Sequence, residues 1–150
     1  MTLSQRLHDA LTSAIRARDE LRRETLRMAI AAAYNEEKAA RRPLTDDEVV
    51  AVLSRELRRR RESIEAYRQG GREDRAAREE AESAIIAEFL PRALSEAELR
   101  EMVRAAIVET GARSPRELGK VMSVLAPRTR GRAEGRLVSE MVARELAEIA

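Results

Sequence analysis

This sequence predicts an all-α protein, with long N-terminal helical hairpins and a small C-terminal three-helix subdomain. Three observations carry that expectation. No segment alternates apolar and polar residues for long enough to make a strand, whereas apolar spacings of three and four recur almost throughout. Charged residues make up 37% of the chain and hydrophobic residues 43%, which suits helices whose outer faces carry solvated ion pairs. Helix-start patterns of the capping-box type occur at Thr45 with Glu48, Ser95 with Glu98, and Ser114 with Glu117.

The elements follow in order. Leu3, Leu7, Leu11, Ala14 and Ile15 mark one face of a first helix. Asp19 can cap a second, which carries Leu21, Leu26, Met28, Ile30, Ala33 and Tyr34; the two could also be one kinked helix. Arg41-Arg42-Pro43 ends that section, and the Thr45 box starts a third helix through Val49, Val52, Leu53, Leu57, Ile64 and Tyr67. Gly70-Gly71 breaks the pattern, and a fourth helix presents Ala81, Ala84, Ile85, Ile86, Phe89 and Leu90. The segment around Pro91 divides the chain into domains 1–92 and 93–150. Beyond it, Ser95 starts a helix with Leu99, Met102, Val103, Ala106 and Ile107 that ends at Gly111. Ser114-Pro115 starts a short helix with Leu118, Val121, Met122 and Leu125, which Pro127 is expected to stop. Leu137, Met141, Val142, Leu146 and Ile149 define the last helix.

Several chemistries have no residues to run on. There is no cysteine, so disulfides, thiolate metal sites and thiol nucleophiles are excluded. His8 is the only histidine and reads as an ordinary surface residue, with no nucleophile beside it. Carboxylates lie among arginines at helical spacing, as expected of surface ion pairs rather than an acid–base couple. No catalytic residue, metal site or cofactor is expected. No window of about 18 apolar residues occurs, and the start lacks the pattern of a secretory signal. A cytoplasmic protein is the expectation.

Charge is more informative in its distribution than in its total. Net charge is only +2, and all but two of the 29 basic residues are arginine. Residues 113–136 hold Arg113, Arg116, Lys120, Arg128, Arg130, Arg132 and Arg136 against Glu117 and Glu134, the strongest local imbalance in the chain. The spacing of Gly131 and Gly135, with no strand before them, does not fit a nucleotide-binding P-loop. The residues fit two readings: a grip for phosphates, helped by open amides at the start of the last helix, or a glycine-bearing turn between helices. The run Arg58 to Arg61 reads as a solvated helix face, with Glu62 and Glu65 as partners for Arg58 and Arg61. The three aromatic residues, Tyr34, Tyr67 and Phe89, all lie outside the basic segment, which speaks for a folded RNA over stacked single strands.

The stretch from Leu44 to Leu99, followed by LGKVMSVLAPRTRGRAEGRLVSEMV over 118–142, resembles the GatB/YqeY family across nearly the whole chain. The C-terminal part is similar to the tail domain of the B subunit of the glutamine-dependent Asp-tRNA/Glu-tRNA amidotransferase. That resemblance implies a non-catalytic helical protein whose C-terminal domain contacts tRNA or another structured RNA. A label such as carbon–nitrogen ligase with glutamine as amido donor would describe the complex, not this chain. The matched positions are Gly119, Lys120, Gly131, Arg132, Ala133, Gly135 and Arg136, with Gly119, Gly131 and Gly135 allowing close approach of a partner. An amidotransferase subunit or another translation-related protein is the implied protein partner. The alternative is an adaptor that binds protein and no RNA.

Overall fold

Four of the helices begin where a side chain takes up amides that the first turn leaves open. Thr2 caps α1 (Leu3–Arg16): its hydroxyl accepts from the Gln5 amide, and the Gln5 side chain accepts from the Thr2 amide. Asp19 caps α2 (Glu20–Ala40), accepting from the Arg22 amide at 3.1 Å. Thr45 and Glu48 close a capping box on α3 (Asp46–Gln69). α4 (Glu73–Ala87) follows a turn in which Gly71 takes a φ of 73°. Ser95 and Glu98 form the same box on α5 (Glu96–Thr110), which ends at Gly111 with a φ of 71°. A short 3-10 turn, Pro115–Glu117, leads into α6 (Leu118–Thr129), and α7 (Gly135–Ile149) follows. The computed structural model describes all residues from 1 to 150. They contain no strand, and they form two compact units, Met1–Leu90 and Pro91–Ala150.

The capping boxes of α3 and α5 share a further device. Arg42 donates to both Glu48 oxygens, at 2.7 and 2.8 Å, and to the Pro43 carbonyl. Arg92 donates to both Glu98 oxygens, at 3.0 and 2.6 Å, and to the Ala93 carbonyl. The pattern is Arg-x-Leu-Ser/Thr-x-x-Glu in both places. One carboxylate thus closes the helix start and binds a guanidinium fork six residues upstream.

In the first unit α1 packs on α2 and α3 on α4. Leu7, Leu26, Leu53 and Ile86 are fully buried at the centre of its core. The Leu3 amide donates to Asp46 Oδ1 at 3.0 Å, tying the start of α1 to the start of α3. In the second unit α5, α6 and α7 enclose Val103, Val121, Leu125, Val138, Val142 and Leu146. Met102, Leu118 and Met122 pack against that core from its margins.

The structure departs from the sequence reading at several points. α1 and α2 are separate helices and not one kinked helix: Arg18 turns left-handed with a φ of 57°, and Asp19 restarts the chain. Ile15, Met28 and Tyr34 stand off the core, 47%, 56% and 58% exposed, and Ala84 and Ile149 are exposed too. On α2, Leu26, Ala29 and Ala33 hold the inward face at helical spacing, which leaves Met28 on the opposite side. Phe89 lies beyond the end of α4 yet is buried, with the Arg6 guanidinium over its ring. Pro127 does not stop α6, which continues to Thr129. Leu125 and Thr129 are buried one turn apart, and this packing holds the last turn helical although Pro127 has no amide to donate.

The arginine run on α3 is the largest departure. Arg60 follows Leu53 by two helical turns and shares its inward face, so it is buried, with 5% exposure. Its Nη1 bonds Glu79 at 3.1 Å and also Glu82, both from α4, while Nη2 lies 3.9 Å from Met28 Sδ on α2. A buried guanidinium without those carboxylates would be costly.

Candidate nucleic-acid interface

The basic segment is built around α6. Val121, Leu125 and Thr129 point inward, four residues apart. The opposite face runs through Arg116, Lys120, Ser123, Pro127 and Arg130, all exposed and three or four residues apart. No aspartate or glutamate occurs from Leu118 to Ala133. Arg113, Arg116, Lys120 and Arg130 form no ion pair. The charge of Glu117 is felt by Lys120 and Arg113 without an ion pair, while the carboxylate itself is bonded to the backbone. Its Oε2 accepts from the Arg113 amide at 2.5 Å and the Ser114 amide at 3.2 Å, the glutamate half of the expected capping box. The Arg113 bond is the leading cause that holds this carboxyl below the usual range.

The other arginines of the expected site are occupied to different degrees. Arg128 lies on the flank of α6 and reaches α5, where both guanidinium nitrogens bond Glu109, at 2.8 and 3.0 Å. That fork holds Glu109 below, and Arg128 above, their ordinary values. Arg132 is half-buried, and its Nε donates to the Arg92 carbonyl at 3.2 Å. Beside it the Leu94 amide donates to the Arg132 carbonyl at 2.9 Å. Arg132 therefore stitches the turn to the start of the unit. Arg136 sits one helical turn from Glu140, at 3.9 Å, the longest of the ion pairs here.

The structure thus divides the expected cluster. Arg113, Arg116 and Lys120 gather at the start of α6, and Arg128, Arg130, Arg132 and Arg136 surround its end. At about 1.5 Å per residue, Lys120 and Arg130 stand about 15 Å apart along the axis. The amides of the turn are less open than expected, since those of Arg132 and Ala133 both donate to the Thr129 carbonyl. The three glycines also differ. Gly131 takes a φ of 76° and is required by the turn. A Cβ at Gly119 or Gly135 would meet no atom within 4 Å, so neither turn geometry nor packing within the protein demands glycine there.

Sequence reasoning missed two features of this unit. Arg144 on α7 is exposed and forms no ion pair. The hydroxyl of Ser123, exposed in the middle of the outer face, donates to the Lys120 carbonyl at 2.8 Å, which leaves its oxygen able to accept. The spacing of three and four through 116, 120, 123, 127 and 130 was the signal that could have found the face. Elsewhere, His8 is exposed with Nδ1 2.8 Å from the Ser4 carbonyl, and no three acidic or histidine side chains gather as a metal site. No helix is long and apolar enough to cross a membrane.

The sequence pattern of the family described as Yqey-like protein matches residues 4–146. The chain is also similar to the altered inheritance of mitochondria protein 41, mitochondrial, of Pyrenophora tritici-repentis. The two are 29% identical over 150 residues, covering 96% of this chain and 78% of that protein.

Proposed function

Because this chain belongs to the YqeY-like family, a non-catalytic family, we propose that it works by holding a folded RNA, tRNA foremost, on the basic surface of its C-terminal unit. The observation that carries this reading is the acid-free stretch from Leu118 to Ala133, set among cations with no ion pair of their own. Cations already neutralised within the fold add little to phosphate binding; free ones release counterions when they bind. The surface comprises Arg113, Arg116, Lys120 and Arg130, with Arg128, Arg132 and Arg136 beside them. The resemblance of this unit to the amidotransferase tail domain supports RNA as the partner. The same resemblance supports a role beside a carbon–nitrogen ligase whose reaction this chain does not itself perform.

The test is titration of labelled tRNA with the full chain at several salt concentrations. With roughly three or four phosphates neutralised, log K should fall against log salt with a slope of about −3. Absence of binding at low salt would overturn the reading. Capture of an amidotransferase subunit by a chain that ignores tRNA would favour the adaptor instead.

A further inference from the structure

We propose that the RNA is a duplex stem, and that the outer face of α6 lies across its minor groove with Arg116 and Lys120 on one phosphate rail and Arg130 on the other. This rests on the RNA-binding reading above and sharpens it to one face and one class of RNA. The unit Pro91–Ala150 contains no aromatic residue and no Asn, Gln, His or Asp. It therefore lacks the rings on which splayed bases stack, and the amides that read adenine edges. What it offers is cations and hydroxyls on a rigid helix, which recognise backbone and shape.

The layout of the face suits the shallow groove of A-form RNA. Between Arg116 and Arg130 the outward residues other than Lys120 are small or flat: Gly119, Ser123 and Pro127. The backbone of α6 can therefore approach a surface closely, and the open space around Gly119 leaves that approach unobstructed. Long side chains stand only at the two ends, about 15 Å apart at about 1.5 Å per residue. The minor groove of RNA displays 2′-hydroxyls, each of which can donate. Ser123 Oγ already spends its proton on the Lys120 carbonyl, so its oxygen is left able to accept from such a donor. Duplex DNA lacks that donor, and a single strand lacks the second rail.

The experiment measures binding of the full chain to a short RNA duplex, a DNA duplex of the same sequence, and the single-stranded RNA. The RNA duplex should bind about tenfold tighter than either of the others. Arg116→Glu with Lys120→Glu should weaken duplex binding by about tenfold or more. A reversal on α7 outside that surface, Arg144→Glu, should cost less than about threefold. The neutral pair Arg116→Gln with Lys120→Gln, checked by circular dichroism, separates loss of charge from loss of fold. Equal binding of the single strand, or an equal cost on α7, would overturn the face and the duplex while leaving RNA binding standing. A native chain that binds none of the RNAs overturns both.

Discussion

Removing the Arg60 side chain would leave Glu79 without its cation and the largely buried Glu82 with only the exposed Arg78. Arg60→Ala should therefore cost about 3–5 kcal/mol in denaturant unfolding. Arg60→Met combined with Glu79→Gln and Glu82→Gln should recover most of the loss, since no unpaired charge then remains buried. A different kind of residue effect belongs to Glu48 and Glu98. Hydrogen bonds from Arg42 and Arg92 are the leading causes that hold these carboxyls down to about 2, against an ordinary value of 4.5. A depressed carboxyl stabilises the fold fully above its unfolded value and loses that contribution as pH falls from about 4.5 through about 2. In Arg42→Gln and Arg92→Gln the corresponding carboxyl midpoints, followed by NMR, should rise toward 4.5. Midpoints that stay near 2 would show that the arginines are not the cause.

At the scale of the helix, α6 carries a conflict between stability and contact. Glycine is a poor helix residue, and nothing within the protein requires it at position 119 or 135. Gly119→Ala should stabilise the C-terminal unit by about 0.5–1 kcal/mol in thermal or denaturant unfolding while weakening RNA binding. Gains in both would mean that no partner approaches there. Pro127→Ala restores an amide near the end of α6 and should also stabilise, by about 1 kcal/mol, short of the ~3 kcal/mol expected at a helix centre because end turns fray. The caps of these helices were legible in the sequence because each is completed within a few residues: Thr45 with Glu48, Ser95 with Glu98, Asp19 with the Arg22 amide. The end of α6 was not, because Leu125 and Thr129 are held by packing that a local proline rule does not contain. Arg60 was misread for a related reason. Its neighbours in the run are solvated, and only its register with Leu53 turns it inward.

Across the whole chain the balance of charge says little, since ten basic and nine acidic residues nearly cancel over 94–150. What the sequence could locate was the dense stretch 113–136; what it could not decide was which of those cations remain free. Arg128 is neutralised by Glu109, nineteen residues earlier on α5, and Arg132 is drawn to a carbonyl forty residues away. Such pairings exist only once the helices have packed. Each unit has its own apolar core. Residues Pro91–Ala150 made alone should therefore give a helical circular-dichroism spectrum and keep RNA affinity within about threefold of the full chain. An unfolded fragment would mean that the two units are not independent. The paired helix starts bear on how the chain is made. Arg42 reaches Glu48, and Arg92 reaches Glu98, within seven consecutive residues. Closing so short a loop needs nothing downstream. Each junction can thus lock as soon as it leaves the ribosome, and α5 can begin winding before the residues of α7 have been translated.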